Sequence, residues 1–300
     1  MDLISRIRSA VIALAQYSFL YAYALPCLRS YRVFSRVVFV SRGYGSFILL
    51  DKNLFAKLAI SNASTIDVEY YHYLALSVDP VAATLVPSYY FLKGIFVSAL
   101  VCEILYSICH EDLLSHAVCV QNKLEMVGLA NSRLTLADCP QIQAGLYQFE
   151  QEFGIDIANK IRCIANNYLA FGDYSVGLVH GDFHSRNLMI DAFGNSKLID
   201  LDCIRYRGIR QFDPLYFALQ LHSAANKLLW IDSLCVSFAM AGVNIVDSLS
   251  AFGISWSNAY GLAFCMDRIG QVQMTHCVIY PRSRLLPVVQ ALQFIDEHTL

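Results

Sequence analysis

Val179-His180-Gly181-Asp182-Phe183-His184-Ser185-Arg186-Asn187-Leu188-Met189-Ile190, continued by Lys197-Leu198-Ile199-Asp200-Leu201-Asp202, forms the most informative pattern in the chain. An apolar residue leads into a short polar loop, and two triplets, Leu188-Met189-Ile190 and Lys197-Leu198-Ile199, leave it. The triplets are separated by residues 191–196 with Gly194-Asn195 inside, which predicts a small β-hairpin. Such a hairpin brings Asp200 back toward Asp182 and Asn187. The result is one carboxylate able to accept a proton, one amide oxygen and a second carboxylate. The last two are hard oxygen donors of the kind Mg²⁺ prefers.

His180-Gly181-Asp182 followed by Asn187 also has the His-x-Asp-x-x-x-x-Asn spacing of a kinase catalytic loop. Phosphoryl transfer asks little covalent work of a protein. It needs a group that orients the hydroxyl, ligands for the metal and fixed positive charge on the triphosphate. The alternative is a loop in which Asp and Asn form turns and His180 is a packed structural residue. Several such residues in one register, closed by a strand that delivers Asp200, favour the chemical reading.

On these residues the chain resembles the aminoglycoside phosphotransferase and choline kinase superfamily, over residues 179–213 most clearly and over residues 37–103 more loosely. The resemblance implies an α+β, protein-kinase-like two-lobe fold. Its N-lobe, residues 31–105, is a five-stranded antiparallel sheet plus one helix. Its C-lobe, residues 106–300, is mainly α-helical, and a hydrophobic helix over residues 1–30 precedes both. It also implies ATP and Mg²⁺ as cofactors, Asp182 as catalytic base and Asn187 and Asp200 as metal ligands. His180 is read as bracing the loop. Asp213 is expected to do the same, and Phe212-Asp213-Pro214 reads as a helix start with Asp213 as its N-cap. His184 is left between loop packing and substrate contact.

The first lobe carries supporting parts. β-branched and aromatic runs at residues 32–40 and 54–60 flank turn residues and predict three strands. Apolar residues at helical intervals after Ser64 predict a helix. Residues 89–92 and 95–105 predict two further strands. Lys57 on the third strand and Glu69 on the helix match the strand-lysine and helix-glutamate pair of kinases, with Lys52 the weaker competitor. Gly43 and Gly45 lie in the first turn, where glycines let backbone amides approach phosphate; an ordinary hairpin turn is the competing reading. Glu103 and Leu105 fall where the resemblance places the adenine-binding hinge. A long helical stretch is expected over residues 137–170.

Composition narrows the rest. The chain is 56% hydrophobic and 15% charged with a net charge of -2, below the roughly 25% charged typical of soluble domains. Its Lys and Arg are scattered, so nucleic acid is not an expected ligand. The ten cysteines show no close pair of the kind zinc sites use, which reads as free thiols and a cytoplasmic setting. Residues 9–28 contain no charged side chain, but Gln16, Ser18 and three tyrosines dilute the run. It is a candidate for packing on the first lobe, for peripheral membrane contact, or for a signal or membrane-spanning segment. The C-terminal helices lack a strongly acidic surface, so a sugar, amino alcohol or related hydroxyl compound is expected over a polycation. Trp230, Trp256 and Tyr260 are read as core before ligand contacts. Two other functions compete: a protein kinase, against which stand Leu201-Asp202 after Asp200 and the lack of an Ala-Pro-Glu signature, and a nucleotide-binding pseudokinase acting as an interaction module.

Overall fold

The computed structural model describes residues 39–42, 46–50, 54–60, 65–93, 97–127 and 133–295. Residues 9–28, Gly43, Gly45 and Lys52 lie outside them. The chain divides into two compact units, one containing the segment 87–106 and residues up to Ala75, the other containing Leu76–Val86 and Ser107 onward.

In the first unit β1 (Phe39–Arg42), β2 (Ser46–Leu50) and β3 (Leu54–Ile60) are followed by α1 (Thr65–Val78), then β4 (Tyr89–Lys93) and β5 (Val97–Glu103). The five strands form one antiparallel sheet in the order β1-β2-β3-β5-β4. The two-residue period of β3 decides which side chains are buried: Ala56 and Leu58 are fully buried, and Lys57 between them points to the opposite face. On α1, Ile66, Glu69, Tyr73 and Leu76 are all buried, a spacing that puts them on one helical face. Tyr73 meets Tyr89 edge-on with ring centroids 5.1 Å apart, and Tyr70 stacks on Phe91 at 4.3 Å. Those aromatic pairs fasten the helix to β4.

The second unit is mostly helical. α2 (Leu113–Met126), α3 (Pro140–Phe153) and α4 (Ile155–Phe171) precede β6 (Val176–Val179) and the hairpin of β7 (Leu188–Ile190) and β8 (Ser196–Leu198). β9 (Arg205–Ile209) pairs antiparallel with β6 through a bulge. α5 (Phe212–Asn226), α6 (Trp230–Ala239), α7 (Val246–Ala251), α8 (Asn258–His276) and α9 (Arg282–Ala291) complete it. The helical stretch expected over 137–170 is two helices, broken at Gly154, whose φ of 87° ends α3 and starts α4. The expected start of α5 is also corrected. Gln211 is the N-cap and Asp213 lies inside the first turn, because its carboxylate is committed to the polar loop.

The core is built around α8, which is buried continuously from Ala259 to Gln271. Trp256 and Trp230 pack against this core and Tyr260 lies within it. α8 approaches α3 so closely that a Cβ on Gly270 would sit 1.8 Å from the carbonyl oxygen of Gln141, and one on Gly145 would sit 2.2 Å from that of Met266. Backbone cannot move aside as a flexible side chain can. The Arg210 guanidinium, itself buried, donates to the carbonyls of Glu125 and Val127 at 2.7 and 2.8 Å and so closes the end of α2. Gly270→Ala is expected to force the helices apart and cost about 1–3 kcal/mol, read as a lower midpoint in guanidinium denaturation; an unchanged midpoint contradicts the close crossing.

Candidate active site

The loop between β6 and β7 is set by groups that are themselves buried. His180 is fully buried. Its Nδ1 accepts from the backbone N–H of Asp182 at 3.3 Å, which places the ring proton on Nε2, where it donates to the carbonyl of Ile199 at 2.9 Å. One imidazole thus ties the start of the loop to the residue before Asp200. Asp213, on α5, accepts from the backbone N–H groups of His180 at 2.6 Å and Gly181 at 2.9 Å. Burial pushes its carboxyl above the ordinary range, against the pull of His180 and those two amides.

Asn187 is held by the same loop. Its Nδ2 donates to the Asp182 carbonyl at 2.9 Å and to Asp182 Oδ2 at 3.1 Å. This commits the amide nitrogen and leaves Oδ1 as the donor atom for a cation. The hairpin places the third oxygen. Leu188 is in register with Leu198, and the Ile199 N–H donates to the Asn187 carbonyl at 3.1 Å, so Asp200 follows one residue beyond the pairing. The hairpin's turn is fixed by Asp191, whose carboxylate accepts from the backbone of Phe193 and Asn195, each at 2.9 Å. Asp200 has φ 61° and ψ 57°, a left-handed conformation that costs a non-glycine residue of order 1 kcal/mol and tends to be kept at functional positions. An amide oxygen and a carboxylate at the two open ends of one hairpin are a donor set that fits Mg²⁺.

Asp182 has neighbours that the sequence did not announce. Arg268 of α8 donates through Nη2 to Asp182 Oδ1 at 2.5 Å and through Nη1 to the Gly181 carbonyl at 2.7 Å. His184 Nε2 lies 3.4 Å from Asp182 Oδ2, and its Nδ1 accepts from the Arg186 N–H. Burial alone would raise the Asp182 carboxyl, but Arg268, followed by His184, outweighs it and holds the group well below the usual carboxylate range. Beside this pair, Arg205 and Asp267 form a two-pronged ion pair at 2.7 and 2.8 Å. The one sequence signal for these groups was a charged couple, Asp267-Arg268, inside the apolar run of α8.

In the first unit Lys57 Nζ and Glu69 Oε2 are 2.7 Å apart, with Glu69 2% exposed. Glu103 ends β5, where its carboxylate accepts from the Ser88 N–H at 2.9 Å. Leu105 comes two residues later, just before the boundary between the units.

Residues 109–213 match the family model described as the phosphotransferase enzyme family. Among solved structures, an aminoglycoside-3'-phosphotransferase of type VIII superimposes with a TM-score of 0.52 at 17% identity, covering 83% of this chain and 97% of that one. The choline kinase LicA from Streptococcus pneumoniae gives 0.51 at 11%, covering 95% and 98%. The aminoglycoside phosphotransferase APH(3'')-Id from Streptomyces rimosus gives 0.51 at 12%, covering 85% and 97%. No curated protein sequence matches the chain. The fold and the matched segment define the class, a phosphotransferase of protein-kinase-like architecture. The family match is confined to residues 109–213, and along the rest of the chain the similarity to aminoglycoside phosphotransferases and a choline kinase is one of fold.

Removing the Asp213 carboxylate leaves two buried N–H groups without an acceptor, each costing about 1–3 kcal/mol. Asp213→Ala is therefore expected to lower stability by about 2 kcal/mol or more, measured by denaturant unfolding. A loss below about 0.5 kcal/mol, the size of an ordinary surface change, would show that the loop is held by something else.

Proposed function

We propose that this chain transfers the γ-phosphoryl group of ATP to a hydroxyl of a small molecule, a sugar, amino alcohol or related metabolite, with Mg²⁺ as cofactor. The observation that carries the reading is the hydrogen-bonded Asp182–Asn187 pair, from whose end a hairpin runs directly to Asp200. Asp182 orients the acceptor hydroxyl and receives its proton. The hydroxyl oxygen bonds to the γ-phosphorus as the bond to the β–γ bridging oxygen breaks, and ADP leaves. A carboxylate kept strongly ionised is a weak base, which suits a loose transition state in which the proton moves late and positioning dominates. Asn187 and Asp200 are the residues that hold magnesium, which when bound neutralises charge on the phosphates.

Lys57, fixed by Glu69, is the cation for the ATP phosphates, and Gly43 and Gly45 are assigned to the same phosphates. Glu103 and Leu105 are assigned to the adenine edge. His180 and Asp213 support the loop from beneath. The described cysteines are all free thiols, in keeping with a reducing, cytoplasmic setting. Among the described residues no helix is long and apolar enough to cross a membrane.

Asp182→Asn is expected to cut turnover by about 10²-fold or more while Mg-ATP still binds. Asp200→Ala is expected to weaken Mg-nucleotide binding itself, by about tenfold or more. Both are read from ADP release with a panel of metabolite acceptors and from nucleotide titration. Wild-type turnover in both variants would discard the proposal, and transfer to proteins in place of metabolites would reassign the acceptor.

A further inference from the structure

The side of Asp182 that faces α8 is already occupied by a cation. Arg268 is 9% exposed. Its guanidinium lies 4.2 Å from the centroid of the Tyr216 ring and donates to the Tyr216 hydroxyl at 3.1 Å as well as to Asp182 and Gly181. Its Nε is buried without a hydrogen-bond partner among the described residues. Tyr216 is in turn held by Gln220, whose Nε2 donates to its hydroxyl at 2.7 Å. The guanidinium is therefore a fixed charge.

We infer, on the phosphotransferase reading above and narrowing its acceptor range to leave out amino alcohols, that Arg268 selects the acceptor: the site takes hydroxyl compounds without an ammonium group, that is, uncharged polyols or hydroxy acids and phosphates. An amine-bearing acceptor needs a carboxylate or an open aromatic face near its reacting hydroxyl. Asp182 already shares Oδ1 with Arg268. Asp267 gives both oxygens to Arg205, and Asp213 gives both to the loop backbone. Asp202 lies with Cys203 and His276, their polar atoms within 4.8 Å of one another. The face of Tyr216 carries the guanidinium itself.

A hydroxyl that reaches Asp182 sits at a heavy-atom distance of about 3 Å from it. An ammonium one or two carbons from that hydroxyl would then stand within several ångströms of Arg268. At the effective dielectric near a protein surface, two like charges at such a separation repel by enough to change affinity tenfold or more. A carboxylate or phosphate in the same position is attracted, and a neutral hydroxyl pays no penalty.

The test compares the wild type with Arg268→Gln and Arg268→Lys, using acceptor panels matched in size: neutral polyols and sugars, their amino-substituted counterparts, and their carboxylate or phosphate counterparts. The wild type should show kcat/KM at least about tenfold higher for the best neutral or anionic acceptor than for any ammonium-bearing one. Arg268→Gln should move that ratio toward ammonium-bearing acceptors by about tenfold, chiefly through KM, and Arg268→Lys should preserve the preference. An ammonium-bearing compound as best wild-type acceptor overturns the inference and leaves the phosphotransferase reading intact. So does an unchanged ratio in a folded Arg268→Gln. The wild-type panel decides the matter even if that variant does not fold. No transfer to any of the three classes overturns the phosphotransferase reading and this inference with it.

Discussion

The backbone of residues 180–182 is pinned from below by two buried groups, the Asp213 carboxylate and the His180 ring, and the geometry of the site follows from that pinning. A loop carrying three polar side chains has no reason of its own to adopt one conformation. Here its first two amides are spoken for by a carboxylate with little access to water, and His180 bonds forward to Ile199, so the loop and the hairpin strand move as one body. Asn187 then bonds back to Asp182. Each bond is modest in net terms, but leaving any of these groups unpaired in a dry setting is expensive. The cost of alternatives, more than the strength of the bonds, makes the arrangement unique.

A chain with only 15% charged residues sets several of its least exposed charges in opposed pairs. Arg268 faces Asp182, Arg205 faces Asp267, and Lys57 faces Glu69 in the first unit. Isolated, any of these groups would be costly to bury. Paired, each provides a rigid charge whose position is set by a helix or strand behind it. Such fixed charges need no reorganisation when a reacting group arrives, the condition under which electrostatic effects on catalysis are largest.

Much of this was legible in the sequence, and for identifiable reasons. The 180–187 loop, the hairpin and Asp200 are consecutive in the chain, so spacing and turn chemistry were enough to bring them together. The sheet and helix of the first unit follow from alternation in Leu54–Ile60 and helical recurrence in Thr65–Val78. Lys57 and Glu69 lie on neighbouring elements, twelve residues apart. What the sequence hid was long-range. Arg268 is 86 residues from Asp182, and nothing local to α8 says which buried carboxylate its side chain meets. The break at Gly154 leaves no mark on the periodicity, because apolar residues recur at helical spacing on both sides of it. Asp213 has the composition of an N-cap, and only the packing of α5 against the loop turns its carboxylate to another task.

The proposed reaction requires side chains distant in number to converge on one divalent ion beside the terminal phosphoryl group of ATP. A crystal structure with magnesium and a non-hydrolysable ATP analogue would show whether they do. It should hold one ion with Asn187 Oδ1 and an Asp200 carboxylate oxygen both within about 2.0–2.1 Å, and the γ-phosphate facing Asp182. A bound nucleotide whose metal touches neither residue would contradict the proposed reaction.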